Sequence, residues 1–350
     1  MFEQSMTFIK KQKMNALAAA LAIAISGCGG GATPITGVVA FGDSLTDGGT
    51  YANGIIGAAG GSGPGGTLLV KDVGGGKFLT NSATSKTWAE VVAANYSVAL
   101  TPAANEGFSL GYVPLTGKNY AQGGSRVKLV HPTTSPTGAS QAPVSQQLSR
   151  YLATNGGFSL AQLVLVNAGA NDIFVNTDPA MMAVVPNPQP AIEQAAVDLA
   201  MLIAEMQSKG AVRIAVANLP NMGKTPAAVA GGPAAVGLLS GMSAAFNTKL
   251  KSKLDSLGVQ YAWIDSYTWL GSALAGAAAS GITNTTGMAC AGSPPPNNVS
   301  SLLCAAGSPV NPLIPGADLS YAFADSVHPS TKMHQLYGAF ALTAIRAAGW

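Results

Sequence analysis

Short runs dominated by apolar residues recur along the chain at residues 38–41, 163–167, 212–217 and 259–264. Each has the length of a strand; the first reads as a buried strand, and 212–217, apolar except for Arg213, as one buried on both faces for most of its length. Between and after them, apolar positions return at helical spacing over residues 85–94, 144–152, 191–209, 238–257 and 329–347. The first of these helices carries Thr87 and Glu90 in the spacing of a capping box, and the third stops at Gly210. Strands alternating with helices predict an α/β/α fold of three layers, about five parallel strands with helices on both faces. No internal repeat and no second domain interrupt the pattern. Two stretches fall outside it. Residues 48–81 form a glycine-rich insertion, in which 68–70 and 77–80 are expected to pair as a small hairpin. Residues 276–316 are rich in Pro, Gly and Asn and show little periodicity.

The chemistry gathers where the apolar runs end. The first run passes straight into Gly42-Asp43-Ser44-Leu45-Thr46-Asp47, which places Ser44 in a tight turn at the mouth of a sheet. Ligands of open α/β sheets bind outside the carboxyl ends of the strands. A serine hydroxyl there is a weak nucleophile until a base, an orienting acid and oxyanion donors surround it. The chain supplies candidates for all three. Asp325-Ser326-Val327-His328 offers an acid and a histidine just before the last helical pattern. The run at 163–167 leads into Gly169-Ala170-Asn171-Asp172, and Asn119 to Ser125 contains a Gly-Gly turn with free backbone N–H groups. Asp43 and Asp47 read as supports of the Ser44 turn. His131 reads as a surface residue, and His334 should point off another helix face than one serving His328.

These four blocks, GDSL at Gly42 to Leu45, NYAQGG at Asn119 to Gly124, GAND at Gly169 to Asp172 and DSVH at Asp325 to His328, resemble the GDSL family of lipases and esterases, the SGNH hydrolases. The resemblance spans nearly all of residues 37–350. Four blocks in order carry far more weight than a lone GDS. It implies a flavodoxin-like sheet and hydrolysis of carboxylic esters through Ser44, His328 and Asp325. It also implies an oxyanion hole of the Ser44 and Gly124 backbone N–H groups and the Asn171 amide. Gly123 or Gly124 aligns with the family glycine, and the distance from Asn119 favours Gly124. The FGDSLTD start and the TWAE helix resemble the bacterial phospholipase/lecithinase/haemolysin-like branch. Phospholipase and polysaccharide deacetylase activities are the enzyme alternatives. A non-catalytic envelope lipoprotein is the reading from another class. In the family a tryptophan often stands where Trp88 does, near the site; a purely structural Trp88 fits equally well.

Composition narrows the setting. Hydrophobic residues make up 48% and charged residues 9%, enough for a large core and contrary to disorder. The net charge is +3, and loss of residues 1–27, with three lysines and one glutamate, leaves +1. No basic cluster lies beyond that segment, so no nucleic-acid partner is expected. No Walker loop, no dinucleotide-binding glycine motif after a strand and no ligand-spaced His or Cys pair is present, so neither cofactor nor metal is expected. Residues 1–27 join a lysine-bearing start to an apolar run too short to span a bilayer comfortably, which reads as an export signal. Ile25-Ser26-Gly27-Cys28 resembles the bacterial lipobox, with lipid on Cys28, residues 28–36 as a tether and 37–350 as the hydrolase domain. Gly29, in place of aspartate, points to the outer membrane. The alternative is an ordinary signal peptide and a periplasmic or secreted protein. In an exported chain Cys290 and Cys304 are expected to form a disulfide across a loop rather than stay as two thiols. A monomer acting on an ester or lipid substrate is the expected state.

Overall fold

The computed structural model describes residues 33–56, 68–132, 138–291 and 300–350. Residues 1–27, expected to be an export signal, and Cys28 lie outside the described residues. The compact body runs from Ile35 to Trp350. At its centre stand four parallel strands in spatial order: β1 (Gly37–Gly42), β2 (Gln162–Asn167), β3 (Ile214–Ala217) and β4 (Ala262–Ile264). Residues 118–120 extend the sheet beyond β1. The Ala40 N–H donates to Lys118 O (3.0 Å) and the Tyr120 N–H to Ala40 O (2.8 Å), a single parallel bridge that supplies the fifth strand position. The chain thus leaves β1 to one side and returns to the other. That makes the carboxyl end of β1 the switch point, where such sheets open a crevice.

Both faces of the sheet are buried, which is why its strands read as apolar runs. Val38 and Ala40 of β1 face α1 (Trp88–Asn95), whose Trp88, Ala89 and Val92 form one core with Tyr337, Ala341 and Ile345 near the C-terminus. Val39 and Phe41 face the opposite layer, made by α2 (Val144–Asn155), α4 (Gln189–Ser208) and α5 (Gly232–Ser256). The short α3 (Ala170–Thr177) follows β2, α6 (Ser266–Ala275) follows β4, and α7 (Thr331–Ala347) closes the chain. The capping box of α1 is present: Thr87 Oγ1 accepts from the Glu90 N–H and the Glu90 carboxylate from the Thr87 N–H. No helix of the described residues is long and apolar enough to cross a membrane.

The structure differs from the sequence expectation in several places; the strand expected over 259–264, for one, is confined to Ala262–Ile264. Leu68–Leu69 pairs antiparallel with Ile55–Ile56, not with residues 77–80. A helical turn, Val70–Gly74, follows at once and ends on Gly75 in the left-handed region, and Phe78 and Leu79 are then buried against the body as loop residues. The long α5 starts six residues before the expected 238, since Pro233 in its first turn is pre-set for a helix start and its first turns are too exposed to show periodicity. The third strand is shorter than 212–217 because Val212 is exposed and pairing begins only at Ile214, opposite Val164.

Candidate active site

Ser44 follows β1 directly, and the turn that holds it depends on Gly42. Its φ of +151° and a built Cβ only 2.1 Å from Asn167 O exclude any other residue. A buried glutamine completes the hydrogen bonding of Gly42, whose carbonyl also accepts the Gln122 N–H. Gln147 of α2 accepts from the Gly42 N–H (2.9 Å) and donates to Gly42 O (2.8 Å). Asn119 braces the turn from the other side, donating to Thr46 O (2.7 Å). Asp47 accepts from the N–H groups of Gly49, Thr50 and Gly123, and so ties the turn to the Gly-Gly loop. Trp88 is fully buried beneath it, its Nε1–H donating to Thr46 Oγ1 (3.1 Å). Trp88 therefore supports the turn from below.

Ser44 Oγ lies 2.8 Å from His328 Nε2, and His328 Nδ1 lies 2.8 and 3.0 Å from the two oxygens of Asp325. The Asp325 carboxylate is buried and also accepts from the backbone N–H groups of Val327, His328 and Ser301. Burial alone would raise its pKa. The neighbouring His328 outweighs that, with these hydrogen bonds, and holds the carboxyl well below the usual range. An ionised carboxylate only accepts, so His328 Nδ1 carries a proton, and in the neutral imidazole this tautomer leaves Nε2 bare toward the serine hydroxyl. The three-residue spacing works because residues 325–328 form a turn that folds the carboxylate back onto the ring.

Two backbone N–H groups, that of Ser44 itself and that of Gly124 on the glycine loop, donate to no protein acceptor among the described residues. The Gly123 N–H is already spent on Asp47 (2.9 Å). Gly123 serves another purpose: a Cβ there would sit 2.1 Å from Phe78 Cε2, and the Phe78 ring packs against His328 with centroids 5.0 Å apart. Asn171, in the first turn of α3, donates one amide hydrogen to Ser125 O (2.9 Å), which leaves the other available. Hydrogen bonds thus join Ser44, His328 and Asp325, while Asn171 is tied through Ser125 to the loop that carries Gly124. The fold leaves His131 partly exposed and buries His334 completely, packed against α1. There His334 Nδ1 accepts the Trp88 N–H (3.2 Å), and burial pushes its imidazole down to about 3, so it stays neutral.

Cys290 and Cys304 are joined by a disulfide. Cys290 bonds through its N–H to Ala324 O, and Cys304 follows the short helical turn Ser301–Leu303, so the bridge lies directly behind Asp325. Asp43 is fully buried beside Ser44. One of its oxygens accepts from the Leu45 N–H and the other has no partner among the described residues, and burial pushes its carboxyl up to about 7.

Sequence reasoning passed over Gln147, Arg126, Phe78 and Ser301. Gln147 did carry a signal, a polar residue in register with Val144, Leu148 and Tyr151 on the buried face of α2. Ser301 carried none, since it acts through its backbone from an aperiodic loop.

Solved structures similar to this chain include Est24, a carbohydrate acetylesterase from Sinorhizobium meliloti, at 14% identity. That match covers 89% of this chain and 98% of that one, with a TM-score of 0.42. A putative GDSL-like lipase from Parabacteroides merdae ATCC 43184 is similar at 12% identity, covering 90% of this chain and 98% of that one, with a TM-score of 0.43. No curated protein matches the chain in sequence. The model of the GDSL-like lipase/acylhydrolase family matches residues 38–339, a span that takes in the Ser44 turn, both glycine loops and the Asp325–His328 segment, and the chain belongs to that family.

Proposed function

We propose that the protein hydrolyses carboxylic esters through an acyl-enzyme on Ser44. The observation that carries this reading is the unbroken relay from the Asp325 carboxylate through His328 to Ser44 Oγ, with contacts of 2.8 Å at each end. His328 Nε2 takes the proton from Ser44 Oγ as the oxygen attacks the ester carbonyl, and returns it to the leaving alcohol. Asp325 fixes the tautomer and stabilises the imidazolium that forms. The Ser44 and Gly124 N–H groups and the free Asn171 N–H stabilise the tetrahedral oxyanion. Water, activated by His328, then attacks the acyl-enzyme by the same path.

The test is hydrolysis of p-nitrophenyl esters from acetate to palmitate by the Cys28→Ser protein, beside the same protein carrying Ser44→Ala. Activity that disappears with Ser44→Ala is expected. A short-chain optimum assigns a carboxylesterase and a long-chain optimum a lipase or phospholipase. Absence of Ser44-dependent activity on every ester, in a folded protein, overturns the reading.

We also propose that the protein is exported and held in the bacterial outer membrane by lipid on Cys28, as a monomer with its body at the envelope. The support is the coincidence of a basic start, a short apolar run and the Ile25-Ser26-Gly27-Cys28 box. Labelled palmitate should enter the wild-type protein and not Cys28→Ser; equal labelling of the two contradicts the anchor.

A further inference from the structure

The oxyanion donors named above stand on two separate pieces of chain. Gly124 lies on the loop after residues 118–120, and Asn171 lies in the first turn of α3. Three bonds join these pieces. Asn171 Nδ2 donates to Ser125 O (2.9 Å), Arg126 Nε to Asp172 Oδ1 (3.0 Å), and the Val127 N–H to Asp172 Oδ2 (2.9 Å). Arg126 and Asp172 are only 8% and 1% exposed, so this is a buried ion pair.

The loop has other means of keeping its own shape. The Gly123 N–H is held by Asp47, Ser125 Oγ donates to Ala142 O and accepts from Gln147, and the Ala121 N–H is held by Asn119. None of these contacts reaches α3. A buried ion pair is also an inefficient way to stabilise a fold, because desolvating two charges offsets most of their attraction. The molecule reflects that cost: burial raises the Asp172 carboxyl above its usual range although the Arg126 guanidinium pulls the other way. The distinctive effect of the pair is therefore geometric. It sets how far the Gly124 loop stands from Asn171. The two N–H groups of an amide lie in one plane, so with one fixed on Ser125 O the direction of the other follows from that same spacing. Donors preorganised at the oxyanion are worth most when they need no adjustment in the transition state.

We propose that the Arg126–Asp172 pair is a positioning clamp that sets the Gly124 and Asn171 donors at one spacing and so governs turnover without touching substrate. This inference rests on the ester-hydrolase reading of the site. It predicts that Arg126→Met lowers kcat about 10- to 100-fold while KM stays within about twofold, since a donor lost or misplaced is felt in the transition state. The rate constant for Ser44 reaction with a fluorophosphonate should fall in parallel, while the fraction of protein that finally reacts stays the same as wild type. Arg126→Lys should restore part of kcat. Asp172→Asn, which keeps the shape and the Val127 contact, should reproduce the kcat defect if Arg126→Met folds poorly. In the Asn171→Ala background, Arg126→Met should cost much less than in wild type, because half of what the clamp positions has gone. A merely structural pair would lower Tm and the reactive fraction but leave kcat per reactive site unchanged. That result, or full additivity with Asn171→Ala, overturns the clamp while Ser44-dependent hydrolysis still stands. Wild-type protein whose Ser44 does not react overturns both the clamp and the reading beneath it.

Discussion

On one side of Ser44, Gly124 and Asn171 stand at the carboxyl ends of the parallel sheet, and buried polar side chains fix them there: Asp47, Asn119, Gln147 and the Arg126–Asp172 pair. On the other side, Asp325 and His328 lie outside that sheet, between the short strand Tyr321–Phe323 and α7. Their supports come from distant loops: the Ser301 N–H, the Cys290–Cys304 disulfide and the Phe78 ring. The proposed oxyanion side thus inherits its geometry from regular structure, whereas the proposed acid–base side is assembled from irregular chain and held by a covalent link. In the proposed mechanism the half built on the sheet would receive the developing charge and the strapped half would move the proton.

Substitutions on the two sides should separate these halves. The largest effect is expected from Asp325→Asn. An amide in place of the carboxylate favours the wrong His328 tautomer, so kcat should drop by about 10⁴-fold in steady-state assays with little change in far-UV CD. The same carboxyl links stability to pH. Because its folded pKa is depressed, its contribution is complete above the ordinary aspartate pKa near 4 and is lost as pH falls toward the native value, and Asp325→Asn should flatten that acid limb of urea midpoint against pH.

Next comes Asn171→Ala, on the side built on the sheet. Loss of one oxyanion donor should lower kcat by roughly 100- to 1,000-fold with KM nearly unchanged, while Tm falls only modestly, since the alanine leaves the backbone of α3 in place and removes one bond, that to Ser125 O. A fall in Tm comparable to a core substitution would show that Asn171 is chiefly structural.

The smallest effect on chemistry, with a clear one on stability, is expected where the strap is cut. Replacing Cys290 and Cys304 by alanine opens a loop whose ends are 14 residues apart, and should cost about 3 kcal/mol in urea unfolding. Activity should fall less than tenfold below the midpoint, because Val327 and His328 still donate to Asp325 when Ser301 loosens. A loss of activity as large as that of Asp325→Asn would mean that the disulfide, and not the local turn, sets the position of the acid.

The same contrast decides what could be read from the sequence. The sheet was legible because burial on both faces leaves apolar runs, and residues at its strand ends, Ser44 and Asn171, are found by following those runs to their glycines. Asp325 and His328 were legible for a different reason: they are close in sequence, so a turn alone brings them together. What holds them was not. Ser301 contributes a backbone N–H, and Phe78 a ring whose destination depends on how residues 70–80 fold back over the body. The expected hairpin at 68–80 failed on that same point, because burying Phe78 and Leu79 outweighs extended pairing. Polar residues such as Gln147 and Arg126 sit between these extremes. Their burial is hinted at by helical register or by an acidic partner, but the partner itself is known only from the fold.

The central claim is that Ser44 is made nucleophilic by His328 alone among the histidines. Its most direct test is reaction with a fluorophosphonate followed by peptide mass spectrometry, on the wild-type protein and on His328→Ala. A single adduct on Ser44, formed at least about 10³-fold more slowly in His328→Ala, is the predicted result. An adduct on another serine, such as Ser125 or Ser326, or Ser44 labelling at an unchanged rate without the imidazole, would contradict the account.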